Sequence, residues 1–203
     1  MSSHHFVKEQ QEPALLVLDT EGIGFEKVGA LLEWVPTVLV AENALETVQA
    51  WGIKIDVILA PQDFQSTHLQ LLEEQYPVRF LTVTENRFLE EGLHYLLASK
   101  HHAVNLVGYD HQKTPELSDF LPLMDLVFFD GPMRYFPAKN GQIKKWFPKG
   151  SIQLHAPENS LIEIKSPDQS QVIQIQHATF IDLEEGHHIL TCQVPFWVGE
   201  FLE

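Results

Sequence analysis

The stretch Val38–Phe64, VLVAENALETVQAWGIKIDVILAPQDF, decides the fold of this chain. Residues 38–41 form a short apolar run, which is typical of a strand buried on both faces. A helix is predicted next, because Asn43 can cap it and Gly52 can end it in a left-handed conformation. Three apolar residues recur at helical spacing between these points: Leu45, Val48 and Trp51. A second apolar strand follows at residues 56–59, and two strands joined by one short helix must run parallel, with a right-handed crossover.

The same alternation of strand and helix continues on both sides of this stretch. Further strands are predicted at Ala14–Asp19, Val78–Val83, Ala103–Val107 and Leu123–Phe129. Helices are predicted at Phe25–Trp34, Thr67–Gln75 and Phe88–Ser99. Strands that alternate with helices at this spacing predict an α/β domain with a doubly wound parallel sheet, covering residues 1–130.

From residue 131 onward the pattern changes to short runs with period two, separated by turn signals. These runs cover Ser160–Lys165, Gln171–Gln176, Ala178–Leu183 and His188–Val194. Period two is typical of half-buried antiparallel strands. The dipeptide Asn140-Gly141 lies between apolar runs and predicts a β-hairpin. We therefore expect a small antiparallel β-sandwich domain of jelly-roll type over residues 131–203.

Acidic residues follow nearly every predicted strand of the α/β domain. They are Asp19, Glu21, Glu42, Asp63, Glu85 and Asp110. Ligands of doubly wound sheets bind at the carboxyl ends of the strands, and hard cations such as magnesium take oxygen ligands. These carboxylates could therefore hold a magnesium–nucleotide complex. Alternatively, they cap the turns and helices that follow the strands, which is a common use of Asp at such positions.

Charge and composition exclude some classes of function. The formal net charge of −15 argues against a nucleic-acid partner, because phosphates need a basic surface. No apolar segment reaches the length that spans a bilayer, so no membrane association is expected. The N-terminal residues lack the apolar centre of a signal peptide, so a cytoplasmic location is expected. The single cysteine, Cys192, is expected to be a buried apolar residue in a reducing compartment.

Histidines and aromatic residues offer further candidates. The chain has 11 histidines, several in adjacent pairs, but neighbouring residues of a strand point to opposite faces and rarely bind one zinc ion together. Trp146 and Trp197 lie in the predicted β-sandwich, where an aromatic or cationic ligand could stack on them. Packing in the core or in a dimer interface is the alternative use of these rings.

The strand–helix–strand stretch resembles the core of thiamine pyrophosphokinases. In that family a strand runs into Asp-Gly-Gly-Ala-Asn, and a helix, the motif Gly-Ile-x-Pro-Asp and a strand ending in Gly-Asp-x-Asp-Ser follow. Here Gly52-Ile53-Lys54-Ile55-Asp56 occupies the corresponding place, with the strand Val57–Leu59 after it. An α/β domain followed by a β-sandwich is also the family's architecture, so the resemblance in layout covers most of the chain.

This resemblance implies a specific activity and assembly. Such enzymes are homodimers that pair through the β-domain, bind ATP and magnesium at the strand ends of the α/β domain, and transfer a pyrophosphoryl group from ATP to thiamine. On this basis Asp63 and Glu42 are the candidate catalytic residues, and Glu42, Asp63 and Glu85 are the candidate magnesium ligands. Asp110, Trp146 and Trp197 are the candidate residues for binding the nucleotide or thiamine.

The sequence departs from the family at the motifs that carry its chemistry. Glu42-Asn43-Ala44-Leu45-Glu46 stands at the place of Asp-Gly-Gly-Ala-Asn, so a carboxylate is kept and both glycines are lost. Ala60-Pro61-Gln62-Asp63-Phe64 stands at the place of Gly-Asp-x-Asp-Ser, and only Asp63 survives. Arg87–Leu93 lacks the aspartate of the family's Thr-Asp-x-x-Lys-Ala-Leu segment, and Gly108–His111 keeps only the end of Gly-x-x-Gly-x-Arg-x-Asp-His.

Two functions follow from these departures. The chain is predicted to be a thiamine pyrophosphokinase-like protein whose catalytic motifs are degraded, so that activity would require a shifted site built from Glu42, Asp63, Glu85 and Asp110. In the alternative, it is a non-catalytic dimeric protein of the same fold that binds thiamine or a related small molecule, or that has a regulatory role. Mg²⁺ and ATP are expected as cofactors only if the protein is an active enzyme.

Overall fold

The computed structural model describes residues 12–167, 169–176 and 178–202, and the chain divides into two compact units. The described residues up to Tyr109 form the first unit together with Leu123–Leu126. The second unit comprises Asp110–Pro122 and the described residues from Val127 onward. Among the described residues, no helix is both long and apolar enough to cross a membrane.

The first unit is built on a parallel sheet. Its strands are β1 (Ala14–Val17), β2 (Val38–Ala41), β3 (Val57–Ala60), β4 (Arg79–Thr82) and β5 (Ala103–Val107). Their order in space is β5-β1-β2-β3-β4, and β1, β2 and β3 are buried throughout. Strands β2, β3 and β4 are added in turn on one side of β1, whereas β5 lies on its other side. The winding direction therefore reverses between β1 and β5. This confirms the predicted α/β class with a doubly wound parallel sheet.

Five short α-helices connect these strands: α1 (Phe25–Ala30), α2 (Leu45–Ala50), α3 (Gln62–Thr67), α4 (Leu71–Glu74) and α5 (Phe88–Ala98). The predicted cap at Asn43 is wrong, because this residue lies inside a 3₁₀ turn, Glu42–Ala44, and no side chain caps α2. The single helix predicted at residues 67–75 is also wrong. The Thr67 hydroxyl donates to the Phe64 carbonyl and the His68 ring contacts the same oxygen, at 3.0 and 2.9 Å, so side chains compete with the backbone where α3 ends.

Helix α5 packs closely on the sheet through a glycine. A Cβ atom at Gly92 would lie 2.8 Å from Leu16 Cδ2 and 3.3 Å from Leu59 Cδ2. Gly108, which follows β5, is tighter still: its φ is +74°, and a Cβ atom there would lie 2.2 Å from the Asp19 carbonyl oxygen. Leu18 N donates to Val107 O at 2.8 Å beside it. The backbone segments after β1 and β5 are therefore in direct contact.

The second unit contains antiparallel strands. They are β6 (Asp125–Asp130), whose first two residues belong to the first unit, β7 (Met133–Ala138), β8 (Gln142–Phe147), β9 (Gly150–His155), β10 (Leu161–Lys165), β11 (Ser170–Gln174), β12 (Thr179–Leu183), β13 (Gly186–Thr191) and β14 (Phe196–Phe201). One set of strands is ordered β12-β9-β14-β7-β6, and a separate four-stranded sheet is ordered β11-β10-β13-β8. A 3₁₀ helix, His111–Leu117, precedes them in the chain.

The two sets of strands enclose one apolar core, as expected of a β-sandwich. Its buried residues include Phe147, Leu154, Ile162, Leu190 and Phe196. Cys192 belongs to the same core, which confirms its predicted burial. The predicted β-sandwich class is therefore confirmed for this part of the chain.

The hairpin predicted at Asn140-Gly141 is wrong. Strand β7 pairs with β14 and strand β8 pairs with β13, so the intervening turn carries the chain from one sheet to the other. Gly141 has a φ of +69°, and a Cβ atom there would lie 2.3 Å from the Cys192 carbonyl oxygen. Cys192 N donates to Gly141 O at 2.7 Å. The turn signal is real, but the flanking strands find partners that are distant in sequence.

Candidate functional site

The carboxylates predicted as magnesium ligands lie after the carboxyl ends of parallel strands of the first unit. Glu42 follows β2 directly and is half-buried in the 3₁₀ turn. Asp63 is exposed in the first turn of α3, and Glu85 is exposed in the loop after β4 with a φ of +54°. Among the residues that the structure describes, these three do not form a group of ligand atoms within 4.8 Å of one another. Their role as catalytic residues and metal ligands stays a prediction.

The alternative use of strand-end carboxylates is observed at two positions. Asp19 Oδ1 accepts hydrogen bonds from Thr20 N at 2.6 Å and Glu21 N at 2.9 Å, which fixes the turn after β1. Asp110 Oδ1 accepts from Gln112 N at 2.9 Å and caps the 3₁₀ helix His111–Leu117. Helix α3, which carries Asp63, has no side-chain cap.

Asp110 belongs to the second unit, where it lies beside His111 and Asp130. One ligand atom from each of these three side chains lies within 4.8 Å of the others. Asp130 Oδ2 accepts two hydrogen bonds from His111, one from the backbone N at 3.0 Å and one from Nδ1 at 2.5 Å. The carboxylate at the end of β6 therefore fixes both the backbone and the ring of His111.

Aromatic rings surround His111 within the second unit. Its ring stacks on Tyr135, with centroids 5.7 Å apart, and meets His155 edge-on at 5.1 Å. Tyr135 stacks in turn on Phe128, and its hydroxyl donates to the Gln153 side chain. Sequence patterns place these residues on separate segments, so only the folded chain brings the two imidazoles and the phenol together.

Burial controls the protonation of two members of this cluster. Burial and, to a lesser extent, the neighbouring His111 lower the pKa of His155 to about 4, against the opposing effect of the Asp130 carboxylate. Burial also raises the pKa of Tyr135, and the Asp130 carboxylate adds to this effect. His155 is therefore a neutral imidazole near pH 7, and its Nε2 atom is buried without a hydrogen-bond partner. Tyr135 keeps its proton.

The second unit also contains a cavity of about 800 Å³. Trp197 and His155 form part of its wall, and both are more than nine-tenths buried. The remaining lining residues are Thr114, Pro115, Ser118, Leu121, Pro122, Lys139, Asn140, Ala156, Pro157, Glu158, Val194 and Pro195. A smaller cavity of about 380 Å³ shares five of these residues, including His155, and is also lined by His111. The wall of the larger cavity is predominantly apolar, with a few polar groups.

The two tryptophans predicted to bind a ligand have different surroundings. Trp197 lies in β14 and lines the larger cavity. Trp146 lies in β8, is 46% exposed and pairs across the strands with His187, and it does not line that cavity. Both assignments remain predictions, but only Trp197 faces a space that could enclose a small molecule.

Sequence reasoning missed Asp130 and His155 as parts of a site. Asp130 ends an apolar strand, and His155 ends a run of period two, so each resembles an ordinary strand terminus. In both units, the sequence feature that could indicate a site residue is a polar residue at the end of a strand. For parallel strands this feature indicates one edge of the sheet, where ligands bind, but for antiparallel strands it does not.

No protein-family model matches this chain, and no curated protein matches its sequence. Its fold does match solved structures. Thiamin pyrophosphokinase from Geobacillus thermodenitrificans aligns with a TM-score of 0.68 at 8% identity, over 94% of this chain and 97% of that one. The enzyme from Bacillus subtilis aligns with a TM-score of 0.67 at 9% identity, over 95% and 100% of the two chains. The enzyme from Candida albicans gives a TM-score of 0.63 at 10% identity, over 96% and 90%.

The chain is thus a two-unit protein with a parallel α/β sheet followed by an antiparallel β-sandwich. Its fold is that of the thiamine pyrophosphokinases, as the sequence predicted. The agreement extends over nearly the whole chain in each alignment, at identities of 8–10%.

Proposed function

We propose that this protein binds a small heteroaromatic cation of the thiamine class in the cavity of its second unit, and that it does not catalyse ordinary magnesium-dependent pyrophosphoryl transfer. The observation that carries the proposal is the cavity of about 800 Å³ with Trp197 in its wall. This volume lies in the range of small-molecule sites, which are mostly apolar with a few polar groups. A cationic ring gains from contact with a tryptophan face, and the net charge of −15 favours cations in general.

The residues in the loops after β2 and β3 argue against ordinary kinase activity. A triphosphate needs a close backbone approach and free N–H groups, which glycines provide. At the places of the family's glycines this chain has Asn43, Ala44 and Ala60, and the two alanines are fully buried. Pro61, at the place of an aspartate, has no N–H to donate. Magnesium also requires near-octahedral oxygen coordination, and Glu42, Asp63 and Glu85 do not converge within the described residues. These residues do not fit the ion in the arrangement described.

Dimerisation through the second unit is part of the proposal. Phe180 and Phe201 are 55% and 53% exposed, and their rings stack with centroids 6.5 Å apart. Exposed aromatic pairs of this kind are typical of surfaces that become buried against a partner. A second copy of this chain is the partner that the fold favours.

A second candidate function is pyrophosphoryl transfer with rearranged metal ligands. The observation that favours it is the position of Glu42, Asp63 and Glu85, since each follows the carboxyl end of a parallel strand of one sheet. Ligands of such sheets bind at this edge. The two candidates differ in one property, because only the second requires a magnesium–nucleotide complex to bind.

Calorimetric titration with thiamine tests the first candidate. We expect binding that Trp197→Phe weakens about threefold to tenfold, because a smaller ring loses part of the stacking energy. Trp146→Phe is the matched control and should leave the affinity unchanged. Absence of thiamine binding, or equal effects of the two substitutions, would contradict the proposal. Binding of a magnesium–ATP analogue that is lost in Asp63→Ala would establish the second candidate instead.

A further inference from the structure

The group formed by Asp110, His111 and Asp130 is a second chemical feature of the second unit. It supplies two carboxylates and one imidazole, with ligand atoms within 4.8 Å of one another. Asp110 is exposed, whereas His111 and Asp130 are half-buried, so the group is open to solvent on one side. Imidazole nitrogen is a preferred ligand of zinc and related ions, whereas magnesium favours oxygen ligands alone.

A buried nitrogen beside the group is a separate indication of a ligand. His155 is 9% exposed, its Nε2 atom has no hydrogen-bond partner, and its ring meets that of His111 at 5.1 Å. Both histidines line the same cavity of about 380 Å³. A buried polar atom without a partner usually indicates a water molecule, an ion or another bound group.

We propose that Asp110, His111 and Asp130 bind a divalent transition-metal ion of the zinc class. Three protein ligands leave one position of a tetrahedral ion open for a water molecule. A metal-bound water in the cavity that His111 and His155 line could donate a hydrogen bond to Nε2 of His155. The ion would add positive charge to a chain with a formal net charge of −15. The three proposed ligands do not line the larger cavity, so metal binding and binding of the thiamine-class ligand are tested by different substitutions, although His155 lines both cavities.

Metal binding replaces the hydrogen bond that now joins His111 and Asp130. Nδ1 and Oδ2 are 2.5 Å apart, whereas two ligand atoms that each lie about 2.0–2.2 Å from one zinc ion are more than about 3 Å apart. The imidazole proton moves from Nδ1 to Nε2 as the metal takes its place, so the ring stays neutral. Asp110 uses one oxygen to cap the 3₁₀ helix and has a second oxygen for the metal.

Titration of the metal-free protein with Zn²⁺, and with Co²⁺ monitored by visible absorption, tests this inference. We expect one site per chain for which His111→Gln and Asp110→Asn each reduce the affinity at least about tenfold. Asp110→Asn is informative because asparagine can still cap the 3₁₀ helix, so the fold is maintained while a charged ligand is lost. Circular dichroism of each variant verifies the fold.

Two control substitutions separate this site from incidental binding to other residues. Asp119→Asn removes an exposed carboxylate from the same segment of the chain, and His102→Asn removes an exposed imidazole from the first unit. Neither should change the affinity of the site. The inference is overturned if no Zn²⁺ binds at micromolar concentration, or if His111→Gln and Asp110→Asn bind Zn²⁺ as tightly as the unaltered protein. Neither result would affect the thiamine titration.

Discussion

The two units of this protein distribute their polar groups differently. In the first unit, strands β1, β2 and β3 are buried throughout, and the carboxylates after them lie in exposed or half-buried loops that bring no three together as a ligand group among the described residues. In the second unit, His111, Asp130, Tyr135 and His155 lie in contact beside two cavities. The first unit thus has an apolar sheet with dispersed carboxylates, whereas titratable side chains come into contact with one another in the β-sandwich unit.

The largest expected effect concerns the close backbone contact in the first unit. Gly108→Ala should lower the free energy of unfolding by more than about 3 kcal/mol, because the new Cβ atom meets the Asp19 carbonyl and the backbone is in the left-handed region. Gly24→Ala is the control, since no atom beyond its two chain neighbours lies within 4 Å of the position that its new Cβ atom would occupy. Urea unfolding measures the stability of both variants. Equal stabilities would contradict the close contact between Gly108 and the Asp19 carbonyl.

The buried side chain of His155 should make the stability of the protein depend on pH. The pKa of His155 is lowered to about 4 by burial, so the unfolded state binds more protons than the folded state between about pH 6.5 and about pH 4. Stability should therefore fall by up to about 3 kcal/mol as the pH falls through this window. His155→Gln should flatten the curve in metal-free protein, as measured by urea unfolding at several pH values.

His101 gives the corresponding test in the first unit. Its pKa is also lowered, mainly by burial, and its Nε2 atom contacts the Thr37 hydroxyl at 3.1 Å. Its effect has the same sign as that of His155, with stability lost as the pH falls below about 6.5. A variant His101→Gln that left the pH curve unchanged would show that the protonation effect is confined to the second unit.

The smallest expected effect concerns the surface ion pair Lys149–Glu184 in the second unit. The two side chains are 72% and 70% exposed, with Nζ and Oε2 3.0 Å apart. Water and salt screen such pairs, so Lys149→Ala should change the free energy of unfolding by less than about 1 kcal/mol. A larger loss of stability in thermal or urea unfolding would mean that this ion pair stabilises the unit more than the exposure of its side chains indicates.

The parallel sheet could be predicted from the sequence because its strands are continuous apolar runs. Such runs identify fully buried strands without any information about their partners, and the strand predicted at Ala103–Val107 has the same bounds in the structure. The helices were less predictable, since the end of α3 depends on how the side chains of Thr67 and His68 use the Phe64 carbonyl.

The candidate site of the second unit could not be predicted in this way. His111 contacts Asp130 across 19 residues of sequence, and His155 reaches His111 only because β9 is held between β12 and β14. Local patterns do not specify which strands become neighbours. The same reason explains Asn140-Gly141, where the sequence indicates a turn but not that this turn connects two sheets.

Calorimetric titration of the purified protein with a non-hydrolysable magnesium–ATP analogue tests most directly the proposal that the first unit does not bind a magnesium–nucleotide complex. We expect no binding at millimolar concentration, because the loops after β2 and β3 lack the glycines of the family motifs and Glu42, Asp63 and Glu85 do not converge among the described residues. Tight binding that Asp63→Ala abolishes would contradict this conclusion and show that the first unit holds a working nucleotide site.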